Sequence, residues 1–135
     1  MADGAVAALT ADRRAPYAVL EVDDLHVAAV AEAVEPEVVV LLNLSRDQLD
    51  RGTEVRAVAA ALSAALIRNP HTAVVANADD PLVVWVAVPL CTTVWVAAGS
   101  GWQGDSGSYP RCGEVPDTSS PWWRCRCDLR RPRPR

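Results

Sequence analysis

The sequence predicts an α/β fold: a mostly parallel sheet with flanking helices, followed by a small Cys-containing ribbon or loop at the C-terminus. Three observations carry this. Short Val-rich apolar runs alternate along the chain with stretches of helical periodicity. The clearest of those runs each end in a polar or acidic residue, as strands do where they meet a loop. The composition then changes after residue 98: residues 99–135 hold three of the four Cys, three of the five Trp and five of the ten Pro. At 135 residues the chain is the size of one ordinary domain or a fragment of a larger one.

The elements follow in order. Residues 5–12 read as a short Ala-rich helix, and 17–22, YAVLEV, as a buried strand. Over 25–34, Val27, Val30, Ala31 and Val34 fall at i, i+3, i+4 and i+7, which is one helical face. Asp23 and Asp24 stand where caps belong, and Pro36 stops the helix. Residues 37–42, EVVVLL, form a second strand, whose unbroken apolar run suits burial on both faces of a parallel sheet. Ser45 and Gln48 have capping-box spacing, so a helical turn is expected from Arg46, with Gly52 placed to end it. Thr53 can cap a helix over 54–67, in which Val55, Val58, Ala59, Leu62 and Leu66 share a face. Residues 72–76 give a third strand. Asp80 is then an N-cap with Pro81 at the first helical position of a short helix over 81–87, and 93–97 is a fourth strand. This alternation predicts right-handed crossovers.

Charge and composition exclude several function classes. All 13 positive side chains are Arg and none is Lys. A phosphate-binding loop of the GxxxxGK[ST] type needs its Lys, so no complete loop of that kind lies in these residues. Residues 1–120 carry 7 Arg against 16 acids, a net −9, while 121–135 carry 6 Arg against Asp128, a net +5. The body should repel nucleic acid, and the closing RRPRPR reads as a solvated, Pro-stiffened end. The 24 uncharged residues between Asp80 and Asp105 have the length of a membrane span. Pro89, Thr92 and Thr93 divide them into apolar pieces at 82–88 and 94–98, which argues against a transmembrane helix. No basic stretch followed by an apolar run opens the sequence, so a signal peptide and disulfides are not expected. The expected location is cytoplasmic, at most peripheral to the inner membrane face.

Glu21, Asn43 and Asn77 stand at or near the carboxyl ends of the three clearest strands, the edge at which open α/β sheets bind ligands. A carboxylate there can hold Mg²⁺ beside a nucleotide phosphate, because a hard cation takes oxygen ligands. The structural alternative is that the two Asn only end strands and cap turns. His26 and His71 are isolated, and no nucleophilic triad can be assembled. Cys112, Cys125 and Cys127 cluster in sequence, with Cys91 distant. A structural zinc site takes four tetrahedral ligands, so this set favours a relic with free thiols over bound zinc. In a relic, Trp102, Trp122 and Trp123 would pin the segment to the sheet with the sulfurs apart. In a metal site the three sulfurs would converge.

Three motifs combine: LEVDD at 20–24, LLNLSRDQLDR at 41–51 and VVANADDP at 74–81. In order and spacing they resemble the central ATP-binding domain of the Mur ligase family, and within it the MurT branch. Gln48 of RDQLDR stands where other Mur ligases have His. VWVAAGSGW at 94–102, PRCGE at 110–114 and LRRPRP at 129–134 extend the likeness. The resemblance implies a partial Mur ligase central domain over 1–98, and a degenerate zinc-ribbon-like segment with an Arg/Pro tail over 99–135. It implies a ligase that pairs with a GatD-type glutaminase subunit and uses ATP, Mg²⁺ and glutamine. The reaction is conversion of the D-glutamate of lipid II to D-isoglutamine, by way of an acyl phosphate that ammonia attacks. Glu21 matches the family's Mg²⁺/ATP glutamate, with Asn43, Asp47, Gln48 and Asn77 near the site edge.

The departures are equally specific. The P-loop that precedes LEVDD in the family is missing from these residues, as is the C-terminal ligase domain. DRGTE stands for the usual DRxGE order. The family ribbon has two CxxC pairs; here the first is reduced to Cys112, with Tyr109 in its partner's place, and the second is shortened to Cys125-Arg126-Cys127. The chain alone is therefore expected to be inactive. The alternative from another class is a non-enzymatic interaction module whose basic tail binds an anionic partner.

Overall fold

The computed structural model describes residues 15–44, 52–97, 112–115, 117, 120 and 122–135. Among them run α1 (Asp24–Val34), β1 (Val38–Leu41), α2 (Gly52–Arg68), β2 (Ala73–Asn77), α3 (Pro81–Ala87) and β3 (Thr93–Val96). The strands form one parallel sheet in the order β1-β2-β3. The expected α/β alternation and parallel sheet are thus present. The expected helix over 5–12 and the turn from Arg46 lie outside the described residues.

Local chemistry explains the helix ends. The Asp23 carboxylate accepts from Leu25 N at 3.1 Å and starts α1. Glu35, at φ 44°, closes it, and Pro36 prevents continuation. Asp80 caps α3, with Pro81 at its start, as the sequence predicts. Gly52 differs from expectation. It is the first residue of α2, so Thr53 lies within the first helical turn and not before it.

The first expected strand is a correction. Residues 17–22 are irregular, and Tyr17 and Val19 are 83% and 97% exposed. An apolar run becomes a strand only by pairing, and among the described residues no backbone bond joins 17–22 to β1. β1 is therefore an edge of the described sheet.

Burial of β1 on both faces is the second correction. Register aligns Val39, Val74 and Thr93, and Leu41, Ala76 and Trp95, on one face. That face packs on Ala59, Leu62 and Leu66 of α2 and on Leu82, Val83 and Val86 of α3. The opposite face carries Val38 and Val40, which are 52% and 56% exposed. The helices α2 and α3 bury one side of the sheet, so a run of consecutive Val residues is here only half covered.

The two longer helices have a common direction. The C-terminal residue of α2, Arg68, pairs with Glu32 near the C-terminus of α1. Thr72 Oγ1 donates to Pro36 O at 2.8 Å, and Ala73 N to Glu37 O at 2.9 Å. Both helices thus end at the amino edge of the sheet, and their N-termini lie toward its carboxyl edge. No helix among the described residues is long and apolar enough to cross a membrane.

Candidate functional site

The carboxyl edge of the sheet is organised by the turn 77–80 that follows β2. Asn77 donates from Nδ2 to Leu42 O at 2.8 Å, and its Oδ1 accepts from Asp79 N at 2.9 Å. It therefore ties the end of β1 to that of β2 while bending the chain into the turn. Ala78 N donates to Val96 O at 2.8 Å, which joins β3 to the same turn.

Asp80 is wholly buried. Its Oδ1 accepts from Leu82 N at 2.8 Å and Val83 N at 3.3 Å, and its Oδ2 from Leu44 N at 2.7 Å. Burial raises its pKa above the ordinary carboxylate value, opposed by the three N–H donors. One side chain thus caps α3 and holds the segment leaving β1.

Asp79 faces the C-terminal segment. Its Oδ1 accepts from Arg131 Nε at 2.8 Å and Nη2 at 2.7 Å, with the two side chains only 11% and 8% exposed. The Arg131 guanidinium also lies 5.3 Å from the Trp122 ring centroid. Trp123 is buried and donates from Nε1 to Ala78 O at 3.1 Å, and Arg135 N donates to Trp95 O at 3.0 Å. The expectation of a solvated tail is overturned: the closing residues lie against the turn 77–80 and the edge strand β3. The physical reason is the acidic turn itself, since a carboxylate this buried needs a cation.

Of the residues singled out in the sequence, Asn43 and Asn77 do lie at neighbouring strand ends, Asn43 two residues beyond β1 and Asn77 closing β2. Glu21 does not stand at a strand end. It is exposed, two residues before the cap of α1, because the strand expected to carry it is absent. The direction of α1 puts it toward the carboxyl edge by a different route. Asp47 and Gln48 lie outside the described residues. Asp79 and Asp80 are engaged by Arg131 and by backbone N–H groups, so the exposed carboxylate of Glu21 is the one of these three whose chemistry fits a hard cation. The roles of Asp79 and Arg131 were missed in the sequence; an acidic pair before a proline and a remote Arg run give no signal of mutual contact.

The cysteine cluster converges. Cys125 Sγ lies 3.2 Å from Cys112 Sγ and 3.2 Å from Cys127 Sγ, and all three sulfurs fall within 4.8 Å of one another. Trp123 is nevertheless buried, so docking by Trp and convergence of the thiols, expected as alternatives, occur together. Trp122 is exposed, and Trp102 lies outside the described residues. The segment is built as a tight hairpin: Cys125 N donates to Leu129 O at 2.7 Å and Arg131 N to Trp123 O at 3.0 Å. Burial pushes the Cys125 thiol up to about 11. Cys127 goes the other way: desolvation opposes the change, but hydrogen bonds from the other two thiols and from the Leu129 N–H lower its pKa.

Comparison with known proteins agrees with this geometry. A family model for the Mur ligase middle domain matches residues 5–100. The subunit MurT of the glutamine-hydrolysing lipid II isoglutaminyl synthase of Streptococcus pneumoniae is 31% identical over 72 residues. That match covers 53% of this chain and 16% of the relative's length.

Proposed function

The chain belongs to the Mur ligase middle-domain family, and on that footing we propose that it is the middle-domain portion of a MurT-like ligase of peptidoglycan synthesis. The proposed parent reaction is ATP- and glutamine-dependent amidation of the D-glutamate of lipid II to D-isoglutamine. In it the carboxylate oxygen takes the terminal phosphoryl group and ADP leaves. Ammonia from a GatD-type glutaminase subunit then attacks the carbonyl carbon, and phosphate leaves. Residues 1–98 are read as the middle-domain part and 99–135 as a reduced ribbon with its tail.

The observation that carries the reading is the turn 77–80. In NADDP, Asn77 and Asp80 latch neighbouring strand ends at the ligand edge of a parallel sheet. Such a turn orients the edge without itself touching substrate. Glu21 is the carboxylate proposed to hold Mg²⁺ on ATP, and Asn43, Asp47 and Gln48 are proposed to border the site. The cation would supply charge neutralisation at the phosphates.

These 135 residues contain no Lys, the side chain that with backbone N–H groups cradles phosphates in such sites. The isolated chain should therefore bind Mg-ATP weakly or not at all, and micromolar affinity by calorimetry would contradict that part. The function is tested in the source organism by mass spectrometry of its stem peptides. Deleting the gene should lower the isoglutamine content of the wall; unchanged amidation would overturn the assignment.

A further inference from the structure

The segment 122–131, WWRCRCDLRR, interleaves Arg with Trp, Cys and Leu, and the structure turns that alternation into two faces of a hairpin. Trp123 and Cys125 are buried and Arg131 is held against Asp79, so one face is fixed to the domain. Arg124, Arg126 and Arg130 are exposed, as are Arg133 and Arg135 beyond them. We propose that this Arg face docks the protein on the surface of an anionic phospholipid membrane. Such docking is additional to the reaction proposed above and does not depend on it.

Arg124 and Arg130 form the centre of the face. They stand directly opposite each other across the hairpin. The flanking bonds, Cys125 N to Leu129 O at 2.7 Å and Arg131 N to Trp123 O at 3.0 Å, make them a non-hydrogen-bonded pair. That is the closer kind of cross-strand pair, with Cα atoms typically about 4.5 Å apart. Like charges so placed repel. Among the described residues neither Arg is in an ion pair. An anion between the two guanidiniums relieves the repulsion, and the planar fork of Arg matches phosphate oxygens two at a time. Asp117 flanks Arg124 on its other side, and one carboxylate does not neutralise both cations.

Size, charge and an aromatic edge favour a membrane over other polyanions. Among the described residues of 112–135, five exposed Arg stand against the exposed acids Glu114, Asp117 and Asp128. Residues 1–120 carry 7 Arg against 16 acids. A nucleic acid is a connected polyanion that runs past so small a patch and meets the acidic body. Phospholipids are separate molecules, and anionic ones gather beneath the patch without extending to the body. Trp122, 57% exposed at the start of the hairpin, adds an amphipathic ring of the kind that settles at headgroup depth. The Arg131 guanidinium, 5.3 Å from its centroid, steadies that ring.

The test uses the full chain and sucrose-loaded vesicles, of phosphatidylcholine alone or mixed with phosphatidylglycerol, sedimented at low and at high salt. The expected result is sedimentation with the anionic vesicles, release at high salt and no binding to phosphatidylcholine alone. R124Q/R130Q should lower the affinity about 30-fold, at about fivefold for each Arg near the surface. R56Q, which removes an Arg from α2, should leave it unchanged. No sedimentation with anionic vesicles, equal binding to both kinds of vesicle, or equal effects of the two variants would each overturn the proposal. So would tighter binding of duplex DNA than of anionic vesicles at the same salt and phosphate concentration. The dependence on lipid charge and on salt is read on the unaltered chain and does not rest on whether a variant folds.

Discussion

Replacing Asp80 tests whether one buried carboxylate joins two parts of the fold. In D80A, α3 loses its N-cap, which costs about 1 kcal/mol. The Leu44 N–H, 2.7 Å from Oδ2 in the parent, loses a charged acceptor, which costs about 1–3 kcal/mol. Removal of a desolvated charge offsets part of this, so the net loss should be about 2–3 kcal/mol, or a fall of about 1 M in the urea midpoint. D80N keeps a carbonyl oxygen for Leu82 and Val83 but sets an NH₂ against the Leu44 N–H, so it should fall between D80A and the parent. Titration adds a second reading. Burial raises the folded pKa above 3.8, so the folded state keeps a proton that the unfolded state releases. The contribution of Asp80 is therefore fullest below 3.8 and declines as pH rises through the folded value. The advantage of the parent over D80N should narrow from acidic to neutral pH. A D80A protein as stable as the parent, or an advantage that widens with pH, would refute the reasoning.

The other predictions concern the tail and the sheet. R131Q removes the guanidinium held against the nearly buried Asp79 carboxylate, so docking of the C-terminal segment should weaken by about 1–3 kcal/mol, read as faster proteolysis after residue 121. D79N/R131Q should recover much of that loss, since neither side is then charged. L41A, on the covered face of β1, should cost about 2–5 kcal/mol in urea unfolding, whereas V40K, on the open face, should stay within about 0.5 kcal/mol. Equal effects at the two positions would mean the face assignment is wrong.

What could be read from the sequence was what local physics decides. The Asp23 and Asp80 caps, the Pro81 start and the face of α1 that buries Val30 and Ala31 all follow from neighbours within a few residues. The parallel sheet was legible because strands alternating with helices have few other solutions. Residues 17–22 misled because an apolar run carries no information about whether a pairing partner lies beside it. EVVVLL misled in the same way: continuous Val permits burial on both faces without requiring it. The contact of Asp79 with Arg131 spans 52 residues and depends on the hairpin geometry around Cys125, which no spacing rule expresses.

The two adjacent acids of the turn show why a motif is not yet a site. Asp79 and Asp80 are neighbours in sequence at the carboxyl edge of the sheet, and adjacent carboxylates have the oxygen ligands that a hard cation takes. The fold separates them. Asp80 turns inward onto three backbone N–H groups, and Asp79 turns toward the tail and is neutralised by Arg131. An anion approaching this edge therefore meets a turn whose charge is largely compensated, and not two bare carboxylates. The charge asymmetry of the sequence, acidic body against basic tail, is in part resolved within the chain. This also separates the two functional readings. If Arg131 exists to shield the turn, R131Q should weaken binding of an anionic ligand at this edge more at low salt than at high salt, because the turn has then lost a positive charge. If the tail exists to hold an external anionic partner, R131Q should weaken that partner while leaving ligand binding unchanged. Titrating ATP against the proposed full-length ligase, parent and R131Q, at two salt concentrations distinguishes them, and an affinity indifferent to both would remove the shielding role.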